Sequence, residues 1–256
     1  MKHAIAVLDS GHAHVALLEL QRPPYNHVNV ALMRELADTL ERLDADPACR
    51  CVVLAAQGRA FCAGADFHSD DDAGAARDPG ALYEQAMRLF RGAKPVVAAV
   101  HGAAVGAGLG LAVAADFRVT CAEARFSANF NRLGFHPGFG LSATLPRLVG
   151  AQAAGLLLYT GRRIGGEEAV RIGLADVLAP AEAVRVQALA LAAEIALSAP
   201  LAVQATRATL RRGLADEVAA INRHEREVQR QHFATEDFGE GVRAMAERRP
   251  PRFAGH

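Results

Sequence analysis

The chain has 256 residues, 28 Lys+Arg against 28 Asp+Glu, a formal net charge of zero and 51% hydrophobic residues. That length suits one large domain, or one domain with a helical appendage. The balanced charge argues against nucleic acid or an acidic membrane surface as partner. The four cysteines, Cys49, Cys51, Cys62 and Cys121, form no CxxC pair, which reads as reduced thiols in a cytoplasmic protein. The opening MKHAIAVLDSGHAH is broken by polar residues too early for a signal peptide. No apolar run reads as both long and glycine-poor enough to span a membrane.

In chain order, Ile5–Leu8 and Val15–Leu20 flank Ser10-Gly11 and predict a hairpin that ends at Arg22-Pro23-Pro24. Asn29 predicts an N-cap for a helix to about residue 43, with Leu32, Leu36, Leu40 and Leu43 at helical spacing. Asp46-Pro47 stops it. Residues 51–55 read as a short apolar strand, 57–66 as a loop with glycines at 58 and 64, and 68–79 as an acidic, small-residue excursion. A helix over 81–91 follows.

Residues 94–115, KPVVAAVHGAAVGAGLGLAVAA, organise the rest. A buried strand over 95–100 runs into Gly102, Gly106, Gly108 and Gly110 and then into small apolar residues suited to a closely packed helix. Strand, glycine loop and helix together present backbone N–H groups without internal partners. Such donors can bind a phosphate or stabilise an oxygen that gains charge during reaction. GxGxG here is not the dinucleotide fingerprint, and no GK[ST] follows. Taken alone, the glycines also fit mere close helix–sheet packing.

Strands are predicted at 116–120 and 124–127, and a loop over 131–140 carries His136-Pro137-Gly138. Helices follow at 141–149, 151–159 and 167–172, then a short strand at 174–178 and a helix at 181–198. Beyond Pro200 only helices are expected, at 201–212, 214–233 and 238–247. Alternating strands and helices predict an α/β core with parallel pairing. The expected division is a core over residues 1–198 and a helical assembly or lid region over 199–256.

A second loop, Ala60-Phe61-Cys62-Ala63-Gly64-Ala65-Asp66, also follows a strand. Two strand-ending loops in a layered core can aim separate N–H groups at one oxygen. His12-x-His14 lacks further ligands at metal spacing, so no metal site is expected.

RAFCAGADF, KPVVAAVHGAAVGAGLGLAVAADFRV, the loop at His136-Pro137-Gly138 and the ending FGEGVRAMAERRPPRFAGH together resemble the crotonase (enoyl-CoA hydratase/isomerase) superfamily. The resemblance runs from ALLELQRP to the C-terminus. It implies a spiral of repeated ββα units, a C-terminal helical trimerisation region, and homotrimers or hexamers that process acyl-CoA thioesters. No cofactor is implied beyond the coenzyme A of the substrate. By position, the N–H groups of Ala65 and Ala107 would hold the thioester oxygen. Cys62, Ala63, Asp66, Phe67 and His68 would lie along CoA, Gly106 and Phe130 beside the acyl group, and Phe253 would serve a neighbouring subunit's CoA.

The resemblance breaks at two places. Where hydratases of the superfamily carry glutamates, this chain has Gly110 and Phe130, and Gly138 stands where some relatives carry an aspartate. Hydration needs groups that activate water and deliver a proton. His136 is the replacement expected for acid/base work, or else a loop histidine bonded to a carbonyl. Asp66 reads as fixing its loop, His101 as structural, and Cys62 as a buried thiol rather than a nucleophile. The function expected is thus acyl-CoA processing through a stabilised thioester enolate. The alternatives are a decarboxylase or thioester hydrolase of the same fold, and a non-catalytic acyl-CoA-binding member.

Overall fold

The computed structural model describes residues 4–65 and 79–256. The predicted hairpin forms: β1 (Ile5–Leu8) pairs antiparallel with β2 (Val15–Leu20), Ile5 opposite Leu20. Asn29 caps α1 (Val30–Ala45), its Oδ1 accepting the Leu32 N–H at 2.9 Å, and Leu32, Met33 and Leu36 are buried beneath. From β3 (Cys51–Ala56) the chain settles into a cadence. After β3 come β4 (Ala60–Cys62) and α2 (Gly80–Arg88); then β5 (Val96–Val100), β6 (Ala103–Val105) and α3 (Ala107–Ala114); then β7 (Phe117–Thr120), β8 (Arg125–Ser127) and α4 (Leu141–Thr160). In each turn the first strand joins one sheet and the second joins another, so the chain advances as a ββα spiral. With β9 (Arg163–Gly165), α5 (Gly166–Arg171) and β10 (Val177–Leu178), the sheets read β1-β2-β3-β5-β7-β10 and β4-β6-β8-β9.

Within the first sheet every pairing after the hairpin is parallel. All six residues of β3 are buried, as expected of a strand covered on both faces. One cover is α6 (Val184–Leu197), which lies across β2, β3, β5 and β7.

The second sheet corrects the sequence reading. Residues 57–66 are not simply a loop, because Ala60–Cys62 is a strand. Ala103–Val105 and Arg163–Gly165, within stretches read as glycine segment and connection, are strands too. Each has three residues, too few to display a period of two, and each pairs with a strand distant in sequence. The strand expected at 174–178 shrinks to Val177–Leu178. The two helices expected at 141–149 and 151–159 meet in α4 at a break, where Gly150 adopts φ 77°, ψ 161°. Although α4 has the length and composition of a membrane span, it is broken there, and Leu141, Leu145, Leu157 and Leu158 are buried in the protein.

The C-terminal helices are α7 (Pro200–Leu210), α8 (Leu214–His232) and α9 (Glu236–Ala246). Arg207 and Arg211 bind Asp116 at 2.9 and 2.8 Å, which fastens α7 to the start of β7. Asp116 also accepts the Val96 N–H at 2.9 Å, so one carboxylate joins the sheet to the helical region. Leu214, Val218, Asn222, Glu225 and Gln229 form the buried stripe of α8, apolar at its start and polar beyond.

Candidate active site

The loops after β4 and β6 converge because glycine permits it. A Cβ on Gly108 would lie 2.0 Å from the Cys62 carbonyl oxygen, so the first turn of α3 is pressed directly against the Cys62 backbone. The first loop is held from its other side by the segment after the hairpin: Ala63 N–H donates to Tyr25 O and Val28 N–H to Gly64 O, both at 2.9 Å. Val28 and Ala65 form a parallel bridge. Among the described residues, the N–H of Ala65 has no backbone acceptor. Ala107 opens α3, so its N–H has no acceptor within the helix. No acidic residue sits in that first turn, which leaves the helix N-terminus with its partial positive charge uncompensated.

Gly106 precedes Ala107 and turns the chain with φ 55°, while its N–H donates to Ser127 O at 2.9 Å. The ring of Phe130 reaches to 3.9 Å, and Asn129 Oδ1 to 3.5 Å, from where a Gly106 Cβ would stand. Phe130 is buried and meets Phe135 edge-on at 5.5 Å. At Gly110, one turn into α3, the Cβ position is filled: the Phe139 ring lies 2.4 Å from it. Phe139 is fully buried and sits at φ 62°, an uncommon conformation for a residue with a side chain. Gly138 is filled in the same way by the Tyr83 hydroxyl, 2.0 Å from the Cβ position. Apolar rings and a buried phenol therefore surround the positions where the resemblance expects carboxylates in relatives. Burial raises the pKa of the Tyr83 phenol.

His136 is half-buried. Its Nδ1 lies 2.8 Å from Pro137 O; a carbonyl only accepts, so Nδ1 is the donor in this contact. Its recorded partners are its own loop and α8. The backbone N–H donates to His232 Nδ1 at 3.0 Å, Gln229 Nε2 donates to His136 O at 2.8 Å, and the ring meets that of His224 edge-on at 6.1 Å. Burial, and then the neighbouring His136, push the His232 pKa down. Cys62 is buried, its thiol pushed up to about 12 by burial. His101 bonds Gly58 O through Nε2 at 3.1 Å. Phe253 is 42% exposed on a C-terminal segment fastened to α9, where Ala254 N–H donates to Asp237 Oδ1 at 2.7 Å. Asp66, Phe67, His68 and the acidic segment after them lie outside the described residues. No group of three or more possible metal-binding side chains occurs among the described residues.

The sequence reading missed the part played by α8. Glu225 accepts the N–H groups of Gly140 (2.7 Å) and Ser142 (2.9 Å), and Gln229 bonds both His136 O and the Tyr83 hydroxyl. The available signal was that these residues continue the spacing of Leu214 and Val218.

The enoyl-CoA hydratase/isomerase family model matches residues 10–256. The chain belongs to the enoyl-CoA hydratase/isomerase family. Crotonyl-CoA hydratase of Syntrophomonas wolfei is 35% identical over 244 residues, covering 93% of this chain and 94% of the relative. The 2,3-dehydroadipyl-CoA hydratase of Escherichia coli is 34% identical over 245 residues, covering 94% and 95%. The crystal structure of an enoyl-CoA hydratase/isomerase from Pseudoalteromonas atlantica matches with a TM-score of 0.87 at 30% identity, covering 98% of this chain and all of that one. The ββα spiral is thus the crotonase fold expected from the sequence, and the protein is an acyl-CoA-processing enzyme of this family. An acyl-CoA thioester substrate fits that membership.

Proposed function

We propose that the N–H groups of Ala65 and Ala107 form an oxyanion hole for an acyl-CoA thioester, whose carbonyl oxygen gains charge as an enolate develops. The observation that carries this reading is the convergence at Gly108, which puts two loops with unpaired N–H groups in contact. A few kcal/mol per donor is the usual contribution of such a site. Cys62, Ala63, Asp66, Phe67 and His68 would line the CoA path, and Gly106 and Phe130 the thioester. His136, whose Nε2 has no hydrogen-bond partner among the described residues, is the group we assign to proton transfer. The reading requires no cofactor beyond the CoA of the substrate.

The phosphates of CoA would meet a groove of about 830 Å³ lined by Arg132, Arg162, Arg163, Arg248 and Arg249. Arg249 is committed to Glu240 and Glu247; the other four form no ion pair among the described residues. Exposed Phe253 stands in the same C-terminal segment and fits a role toward a neighbouring subunit. In this reading residues 199–256 assemble the protein as a trimer or a hexamer.

Phe139 favours one second reading. An aromatic wall beside the hole does not repel a substrate carboxylate, and loss of CO₂ from a malonyl-type thioester leaves its electron pair on the enolate without a base. The test is mass-resolved turnover on enoyl, 3-hydroxyacyl, malonyl-type and aromatic CoA thioesters. Gain of water on an enoyl thioester supports hydration with His136 in the glutamates' place. Loss of CO₂ supports decarboxylation, and release of free CoA supports hydrolysis. Binding without product leaves a non-catalytic member, and no binding overturns the acyl-CoA site.

A further inference from the structure

The loop from His136 to Gly140 leads from the second sheet into α4 and carries Phe139, whose positive φ of 62° is an unfavourable conformation for a residue with a side chain. Such a residue persists only where its surroundings over-determine it, and here the surroundings can be named. The ring fills the space above Gly110, which shares a face of α3 with Ala107 one turn earlier. On the following side, Gly140 N–H and Ser142 N–H both end on the Glu225 carboxylate, and Asn222 Nδ2 adds a third hydrogen bond at 3.1 Å. Glu225 is fully buried. Its charge is met by those three donors and by the N-terminus of α4, with no cation bonded to it among the described residues. The carboxylate therefore acts as a helix cap delivered from another helix 83 residues away in sequence.

We infer that Glu225 is a positioning residue of the active site: by fixing Gly140 and Ser142 it holds Phe139 over the first turn of α3, and so keeps water from the N–H donors that polarise the thioester. This rests on the proposed oxyanion hole. Donors in a dry setting act on a carbonyl far more strongly than the same donors in water. A loop released from Glu225 would let the ring move and admit solvent one turn from Ala107.

The test uses the full chain and a cinnamoyl-CoA carrying a para-amino donor, whose absorbance shifts to the red when its thioester carbonyl is polarised. Glu225→Gln keeps the shape but sets an NH₂ against one of the two backbone N–H groups. The expected result is a red shift in the wild type that falls by half or more in E225Q, with at least a tenfold loss of affinity for the probe. Amide exchange at Gly140 and Ser142 should quicken in parallel. Should E225Q fail to melt cooperatively, Glu225→Asp, which keeps the charge on a shorter arm, is measured in its place with the same expectation. A variant that melts earlier yet shows the full red shift and wild-type affinity in its folded fraction would overturn the inference and leave the hole intact. A wild-type complex without any shift would sink both.

Discussion

The aromatic ring of Phe139 occupies the space that any side chain on Gly110 would need, at 2.4 Å from the Cβ position. Gly110→Ala in a helix interior would ordinarily gain about 1 kcal/mol in propensity. Here overpacking wins, and a net loss of about 1–3 kcal/mol is expected in urea unfolding. In a Phe139→Ala background the same substitution becomes neutral or stabilising. A double-mutant cycle with no coupling would contradict the contact.

Ala107 can lose its N–H without losing its helix. It is the first residue of α3, the position at which proline is best tolerated. Ala107→Pro is expected to retain the wild-type circular dichroism spectrum while abolishing most of the red shift of a bound chromophoric thioester. Full polarisation in the folded variant would remove Ala107 from the hole.

His232 gives the loop a pH dependence. Its Nδ1 accepts the His136 N–H only while unprotonated, and burial lowers its pKa. The unfolded chain therefore takes up a proton near the ordinary value of about 6.5 that the folded chain still refuses. The contribution of His232 is complete above that value and is lost as pH falls below it toward the lowered folded pKa. The melting temperature is expected to drop from pH 7 to pH 5, with a smaller drop in His232→Gln. Equal drops in both proteins would assign the effect elsewhere.

The arginine groove yields a salt-dependent prediction. Arg132→Ala and Arg162→Ala are each expected to weaken CoA-thioester binding about two- to fivefold at low salt, the range of exposed charge pairs. The difference should shrink as salt is raised. Calorimetric titrations with unchanged affinity in the double variant would place the phosphates outside the groove.

Cys62 is expected to be silent. A buried thiol with a pKa near 12 carries almost no thiolate at pH 8. A disulfide reagent should find none of the four buried cysteines in the folded protein and all four in urea. Rapid native labelling of Cys62 would reopen its nucleophilic role.

Much of this architecture was legible because long elements repeat their pattern. Leu32 and Leu36 announced α1, the apolar run before His101 announced β5, and the two glycine-bearing loops announced each other. Of the second sheet, β8 was legible at 124–127, but β4, β6 and β9 were not, since strands as short as Ala60–Cys62 hold no period and their partners are distant in sequence. Gly110 and Gly138 stood out as missing carboxylates, but their replacement by packing was hidden. That Phe139 and Tyr83 fill the space depends on backbone direction at φ 62° and on α2 approaching from another part of the chain. His136 was visible as a loop histidine, whereas its ties to His224 and His232 required α8 to lie alongside.

The polar half of the α8 stripe also bears on protein engineering. A redesign that ranks substitutable positions by residue type would treat Asn222, Glu225 and Gln229 as free sites for solubility or surface charge. All three are buried, whereas Leu197, Leu201 and Leu210 are highly exposed in the isolated chain. A library for this protein should therefore spare those three polar positions on α8 and diversify the outward-facing leucines only after its oligomeric state has been measured.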